Sequence, residues 1–158
     1  MLKTILTALL LLIPNNPMID LVKENKIAVL SSDYKGTPFG SLTPYALDEG
    51  GNPIIYVSDL AVHTTNINKN SKASITISKI DEENIFNSAR ITLLGKMKKT
   101  NDEKIVKIYY DKYKQAESFS QFADFSFYVM EIESIYYVGG FGDINWIDIE
   151  EYRKQFIK

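Results

Sequence analysis

Most of the chain consists of short apolar or alternating runs that are separated by turn residues. Residues 27–32 predict a buried strand, and residues 74–78 alternate polar and apolar side chains as a half-buried strand does. Glycine and proline mark turns at 33–38 and 48–53. Further strands are predicted for residues 41–47, 54–58, 89–97, 125–132, 135–138 and 146–149.

One substantial helix is predicted between the late strands. Apolar residues recur at helical spacing from residue 105 to residue 116, after a capping box formed by Thr100 and Glu103. The last residues, 150–158, are predicted to form a short helix or a tail. Strands joined by tight turns favour an antiparallel barrel or sandwich over a doubly wound parallel sheet, which needs regular alternation of strands and helices. A chain of 158 residues suits one such domain, mainly β with some helix.

Residues 1–17 form an N-terminal apolar extension. The almost entirely apolar run at 5–13 is too short for a transmembrane helix, which needs about 20 residues. Three interpretations stay open: a signal peptide, a surface helix that ends at Pro14, or an extension upstream of a natural start at Met18. We assign the single domain to residues 18–158 and expect no transmembrane segment. The expected location is cytoplasmic, with export as the alternative if the run acts as a signal.

Composition excludes many kinds of catalytic site. The chain has no cysteine and one histidine, His63, which excludes disulfides, thiolate nucleophiles and metal sites rich in cysteine or histidine within one chain. A Ser-His-Asp triad would have to use His63. The formal net charge of −2 does not favour nucleic-acid binding. A chain this poor in catalytic side chains is expected to bind a ligand or to take its chemistry from a cofactor.

The best candidate for a site is the segment 60–66, Leu-Ala-Val-His-Thr-Thr-Asn. Its hydrogen-bonding side chains are consecutive: His63, Thr64, Thr65 and Asn66. An imidazole, two hydroxyls and an amide can surround a phosphate, and Lys72 follows closely enough to add charge. The alternative is that the threonines and the asparagine cap a turn or short helix while the histidine lies on the surface.

Five motifs then occur in the order found in one known family. They are Pro38-Phe39-Gly40-Ser41, the segment 60–66, Ala89-Arg90-Ile91-Thr92-Leu93-Leu94-Gly95, Asp124-Phe125, and Tyr137-Val138-Gly139-Gly140-Phe141-Gly142 with Trp146. Together they resemble the pyridoxamine 5'-phosphate oxidase-related FMN-binding split barrels, in the HugZ/HutZ-like haem-utilisation branch. The resemblance covers residues 18–148. It implies a six-stranded antiparallel FMN-binding split β-barrel with flanking helices, assembled as a homodimer with cofactor sites at the interface.

The resemblance also implies roles for individual residues. Ser41 and Thr43 would lie along the flavin, and residues 63–66 with Lys72 would meet its ribityl phosphate. Phe141 or Trp146 would approach from the partner subunit and flank the ring. Because the flavin takes the electrons, the family's chemistry needs no protein nucleophile or metal, and it implies an FMN-dependent oxidoreductase with a small-molecule substrate.

Two departures from the family pattern keep other functions open. The chain has only two arginines, Arg90 and Arg153, so oxidation of pyridoxamine phosphate itself is not expected. Haem-handling members take an iron ligand from a C-terminal histidine, and no histidine follows His63. A haem-binding or haem-degrading protein, with His63 as the iron ligand, is the first alternative. A non-enzymatic, exported interaction protein similar to the CREG proteins is the second, because these share the barrel without using flavin.

Overall fold

The computed structural model of this chain describes residues 16–157, so the apolar run at 5–13 lies outside the described residues. The first described helix begins at Pro17. Asn16 caps this helix, since its side-chain oxygen accepts hydrogen bonds from the backbone N–H groups of Met18 and Ile19. Proline at the first helical position costs no hydrogen bond, because that N–H has no partner within a helix.

Eight strands and four α-helices follow one another along residues 16–157. The strands are β1 (Ile27–Tyr34), β2 (Thr37–Pro44), β3 (Ala46–Leu47), β4 (Pro53–Ser58), β5 (Lys72–Lys79), β6 (Ala89–Thr100), β7 (Phe125–Gly140) and β8 (Asp143–Ile147). The helices are α1 (Pro17–Glu24), α2 (Val62–Lys69), α3 (Glu103–Lys112) and α4 (Ile149–Lys154), with 3-10 turns at Ile85–Asn87 and Lys114–Gln121. No helix among these residues is both long and apolar enough to cross a membrane.

Every strand pair is antiparallel, and the strands lie in the order β2-β1-β5-β6-β7-β4-β3, with β8 also paired to β7. The two ends of this order are not paired to each other, which makes the barrel open. The predicted antiparallel split barrel with flanking helices is therefore confirmed. The predicted number of six strands is wrong, because the sheet has eight. The difference comes from β3, which has two residues, and from β8, which turns back along β7 after a hairpin.

A β-bulge in the pair of long strands β6 and β7 sets the direction of the side chains. The register shifts where Leu94 faces Ser134 and Gly95 faces Ile132, so Glu133 is the extra residue. A bulge reverses which side chains face inward and increases the local twist. As a result Ile132 and Met130 on one side of the bulge, and Ile135 on the other, all point into the core.

The main core fills the inside of the barrel. Strand residues such as Leu30, Ile75, Ile91 and Leu93 are fully buried there, together with the apolar face of α1. The Tyr45 hydroxyl donates a hydrogen bond of 2.6 Å to the carbonyl oxygen of Val22, which fastens the end of α1 to the barrel.

A second apolar cluster covers the outside of β4 and of the first half of β7. Helix α3 and the following 3-10 turn pack there through Tyr109, Tyr113 and Ala116 against Tyr56 and Phe127. The side chain of Asp102, and not that of the predicted Thr100, caps α3 by accepting a hydrogen bond from the Lys104 N–H. Thr100 lies at the end of β6, and its hydroxyl accepts from the Asp102 N–H instead.

Substitution of Gly95 by alanine tests the close approach of β6 and β7 at the bulge. An added Cβ would collide with the backbone carbonyl oxygen of Glu131, and backbone cannot move aside as a flexible side chain can. We expect Gly95→Ala to lower the free energy of unfolding by about 1–3 kcal/mol, measured by urea denaturation. Gly40→Ala is the matched control, because its Cβ would meet Val29 at an ordinary 3.6 Å. Equal stability of the two variants would contradict the role assigned to the bulge.

Candidate functional site

The outer face of the sheet carries one row of side chains that lie directly opposite one another across six strands. In order from β2 to β8, the row consists of Leu42, Val29, Thr76, Thr92, Tyr136 and Trp146. None of the six is charged. At the two ends Leu42 is 74% exposed and Trp146 67% exposed. Because an uncharged sheet face with exposed apolar side chains at both ends is typical of an interaction or ligand site, this face is the first candidate.

The rows on either side of it are also almost free of charge. One contains Gly40, Ser31, Ser74, Leu94 and Ser134, and the other contains Pro44, Ile27, Ser78, Arg90, Val138 and Ile144. Charge appears at the margins. Arg90 lies in the second of these rows, and Lys72 and Lys96 face each other beyond the first. The Lys96 ammonium is paired with Glu133, with 2.7 Å between Nζ and Oε1.

Contacts within the row keep the face uncharged and ordered. The hydroxyl groups of Thr76 and Thr92 are 3.1 Å apart and satisfy each other, so both threonines fit among apolar neighbours. The rings of Tyr136 and Trp146 are in contact, with their centroids 4.9 Å apart. The face therefore presents a broad surface with an aromatic pair at one side.

The segment singled out in the sequence forms the N-terminal half of α2. This helix begins without a side-chain cap, since its N-cap residue is Ala61. The Ala61 carbonyl oxygen accepts hydrogen bonds from the N–H groups of Thr64 and Thr65, both at 3.1 Å. The earlier N–H groups of the first turn have no partner within a helix, and such an end attracts an anion.

The four consecutive polar side chains do not converge on one point, because successive residues of a helix point in directions about 100° apart. Asn66 is buried, and its side-chain N–H donates to the Ser32 hydroxyl at 3.0 Å. Thr65 is exposed, His63 is half-buried, and Thr64 is completely buried. Asn66 therefore holds the helix to β1 and does not cap a turn, which differs from the capping role that was the predicted alternative.

Two buried polar atoms of this helix have no hydrogen-bond partner among the described residues: Oγ1 of Thr64 and Nε2 of His63. Burial lowers the pKa of His63 below its ordinary value, since a charged imidazolium would lose solvation. His63 is therefore neutral at neutral pH and holds a ring nitrogen that no described group uses. A neutral imidazole of this kind can donate a hydrogen bond or coordinate a metal.

Ser41 and Thr43 face the inside of the barrel rather than the outer face. Ser41 is opposite the fully buried Leu30, and Thr43 is buried with its hydroxyl donating to the Pro44 carbonyl oxygen at 3.1 Å. Their neighbours on β2, Gly40 and Leu42, are the residues that reach the outer face. Strand β2 thus borders the candidate site through Gly40 and Leu42, and not through the predicted Ser41 and Thr43.

Lys72 lies on the outer side of β5, at a groove of about 430 Å³ that joins the row of small residues to the end of α2. Ser31 and Ser74 also line this groove. Asn70 is held in place at its edge, because its side-chain N–H donates to Asp33 Oδ2 at 3.2 Å and its oxygen accepts from the Lys72 N–H.

Phe141 and Trp146 occupy different surfaces. Trp146 lies in the uncharged row, whereas Phe141 sits at the tip of the β7–β8 hairpin and is 95% exposed. The structure thus places Trp146 and Lys72 on one face of the sheet, with Phe141 beyond its edge and Ser41 and Thr43 on the opposite side. Residues 16–157 hold no cluster of three or more potential metal ligands.

The central residues of the outer face were not predicted. Val29, Thr76, Thr92 and Tyr136 belong to runs whose alternation was recognised, but strand register is needed to align them. A usable signal existed in the strand 74–78. Its outward positions are serine and threonine where a solvent-facing strand normally carries charges.

Comparisons with known proteins agree with this architecture. The sequence model of a protein family described as CREG, beta-barrel, matches residues 19–154. The non-canonical haem oxygenase HOZ of Arabidopsis thaliana, a chloroplastic protein, is 34% identical over 116 residues. The match covers 72% of this chain and 36% of HOZ, so the chain spans about a third of that relative's length.

Two solved structures share the fold. A haem-binding protein from Mycobacterium smegmatis is 28% identical with a TM-score of 0.75, over 82% of this chain and 55% of its own. HutZ, a haem storage protein from Vibrio cholerae, is 21% identical with a TM-score of 0.64, over 75% of this chain and 89% of its own. The predicted resemblance to split barrels of the haem-utilisation branch is confirmed.

Substitution of Thr64 by valine tests whether its hydroxyl serves the fold. The change keeps the shape and removes a buried hydroxyl that bonds to no described residue, so we expect the cofactor-free protein to gain about 1 kcal/mol in free energy of unfolding. Chemical denaturation measures this. The exposed Thr65→Val is the control and should change stability by less than about 0.5 kcal/mol. Destabilisation by Thr64→Val would show that the hydroxyl is needed for folding.

Proposed function

This chain belongs to the CREG β-barrel family, and we propose that it is a haem-binding split-barrel protein that acts as a homodimer. The uncharged outer face of the sheet carries the proposal. It offers a broad apolar surface with the Tyr136–Trp146 pair, as a porphyrin plane requires, and cationic side chains at its margins. The names of HOZ, of the mycobacterial protein and of HutZ all refer to haem.

The cationic margins suit the charged groups of haem. Its two propionates are anionic, and carboxylates pair well with guanidinium and ammonium groups. The two propionates leave the same edge of the porphyrin, so one margin of the face must receive both. Lys72, at the groove that leads to α2, supplies such a group at the surface. Its exposed position lets the propionates stay partly hydrated, which avoids the cost of burying a charge.

His63 is the residue of this chain best suited to bind the iron. It is the only imidazole of the sequence, and its buried Nε2 has no partner among residues 16–157. Because α2 is tied to Ser32 on the inner side of β1, haem held by His63 would lie at the α2 end of the sheet, on the side of Lys72. Histidine is a common haem ligand. Bound haem would supply redox and oxygen chemistry at its iron, while the protein would orient the macrocycle and limit the access of water.

A second copy of the chain is the proposed cover of the outer face. Leu42, Trp146 and Ile144 are all more than half exposed in a single copy. Exposed large apolar side chains that belong to one uncharged sheet face mark an interaction surface. In a two-fold dimer the same surface serves both copies, and the cofactor would lie at the margin between them.

FMN is the second candidate cofactor, and the uncapped start of α2 supports it. The free N–H groups at this helix end are neutral groups suited to a phosphate. With either cofactor the proposed chemistry is that of an oxidoreductase whose reactive group is the cofactor.

Titration with haemin and with FMN distinguishes the two cofactors. We expect haemin to give a Soret band and to quench the fluorescence of Trp146, the single tryptophan of the chain. His63→Gln should shift or abolish the band by removing the iron ligand, while the exposed Thr65→Ala should leave it unchanged. Binding of FMN in preference to haemin, with tighter binding of FMN than of riboflavin, would contradict the haem proposal and support FMN.

Substitution of Leu42 by lysine tests the dimer. A charge buried in an apolar contact cannot be solvated, so we expect dimer dissociation to become about 100-fold easier by sedimentation velocity. Ile157→Lys is the matched control, since Ile157 is 71% exposed and follows Phe156, which packs against Lys23 of α1 and the main core. A monomeric parent protein, or equal dimerisation of the two variants, would overturn the proposed interface.

A further inference from the structure

A pocket walled by aromatic rings opens on the far side of β4 from the barrel core. Its volume is about 430 Å³. We call it the aromatic pocket, because it is lined by the rings of Tyr56, Tyr109, Tyr113, Phe119 and Phe125. These rings pack on one another; those of Phe119 and Phe125, for example, are stacked with centroids 5.4 Å apart. A preformed apolar pocket of this size accommodates a large apolar side chain or a small ligand.

One side of the aromatic pocket is basic, whereas on another side Asp124 lies near Tyr56 and accepts a hydrogen bond from the Ser58 hydroxyl. Lys26 lines the pocket, and none of its lining residues is acidic. Lys112 lies nearby with its ammonium 5.5 Å from the centre of the Tyr113 ring and 4.8 Å from that of Tyr45. The pocket is therefore suited to an apolar group that arrives among acidic residues.

Such a group exists elsewhere on the same chain. Ile85, Phe86 and Phe141 form an exposed apolar tip at the end of the barrel, where Phe86 is 89% exposed. Asn87 fastens the two loops together, because its side-chain oxygen accepts a hydrogen bond from the Phe141 N–H at 3.3 Å. The glycines on either side of Phe141 hold positive φ angles of 151° and 84°, which lets the hairpin present this ring at its turn.

The apolar tip carries the complementary charge. Asp81, Glu82 and Glu83 precede it in the β5–β6 loop, and Asp143 follows Phe141. The Asp81 carboxylate accepts hydrogen bonds from the N–H groups of Glu83 and Asn84, so the loop is compact and its acidic residues stay beside the tip. Apolar and acidic groups on the tip thus match apolar and basic groups at the aromatic pocket.

The pocket and the tip lie at the same end of the outer face but at opposite sides of it. Ile27 and Pro44, which are paired on β1 and β2, line the pocket. Val138 and Ile144, paired on β7 and β8, lie next to the hairpin that bears Phe141. Consider two copies whose outer faces pack together about a two-fold axis that runs parallel to the strands. The β2 side of one outer face then lies over the β8 side of the other, at the same end of the strands. Each tip would then meet the partner's pocket.

We propose that the apolar tip of one copy docks into the aromatic pocket of a second copy, and that the reverse contact forms at the same time. This inference rests on the proposed homodimer and specifies how its two copies are oriented. It also gives a role to two features that a single copy leaves unexplained, the exposed phenylalanines and the open pocket. Docking would bury Phe86 and Phe141 and bring the four carboxylates of the tip near Lys26 and Lys112. This charge pairing favours the proposed orientation over one in which tip meets tip and pocket meets pocket.

The absence of cysteine from the sequence allows a direct test by disulfide trapping. One full-length variant carries Phe141→Cys, and a second, made to differ from it in size, carries Gln115→Cys. Gln115 is chosen because it is exposed and lines the pocket. The two variants are mixed and oxidised. We expect the mixture to form a disulfide-linked pair of one long and one short chain, whereas each variant alone does not. Ile157→Cys mixed with Gln115→Cys is the matched control and should link at least tenfold less.

Sedimentation of the same samples separates the two claims. A dimer without a Phe141–Gln115 link above the control level would overturn the docking and leave the homodimer standing. A monomer would overturn both. As an independent measurement, Phe141→Ala should weaken the dimer by about tenfold or more through loss of a buried aromatic anchor, with no change in monomer stability because this ring is exposed in one copy. An unchanged dimer affinity would overturn the docking.

Discussion

The close approach of β6 and β7 at Gly95 is the constraint on which the rest of the structure depends. These are the two longest strands, and they pair along almost their whole length. At Gly95 the backbones come so near that a side chain cannot fit, and Glu133 is pushed out as the extra residue. The bulge lets β7 pair with a different neighbouring strand on each side of it. Before it, β7 pairs with β4, and after it, β7 pairs with β8.

This division gives the outer side of the sheet two different surfaces. Around β4 the outer side is covered by α3 and by the aromatic cluster around Tyr56. Across β2, β1, β5, β6 and β8, no helix of residues 16–157 covers the ends of the uncharged row, and Leu42 and Trp146 remain exposed. The proposed cofactor and the proposed second copy both belong to this open surface. The apolar tip and the aromatic pocket lie at its two sides, so one assembly would account for all three features.

The sequence predicted the local structure better than the site. Turns marked by glycine and proline and the alternation of residues 74–78 predicted an antiparallel barrel or sandwich, because both signals depend on neighbouring residues. The split barrel itself was implied by the resemblance to a family. The uncharged row could not be read in advance, since it joins six strands whose register is set by a bulge and by long-range pairing. Residues 63–66 appeared as one polar cluster, but the helix turns their side chains to different sides and uses Asn66 to hold α2 to Ser32. Thr43 illustrates the same limit, because its inward direction depends on the pairing of β1 with β2.

The fluorescence emission of Trp146 tests the central claim most directly, because this single tryptophan lies in the uncharged row and is 67% exposed in one copy. If the outer face is a contact surface between copies, the emission maximum at high protein concentration should be that of a buried indole. It should move towards that of a solvated indole as dilution separates the copies. A maximum typical of solvated indole at every concentration, with no change on dilution or on addition of haemin, would contradict the account.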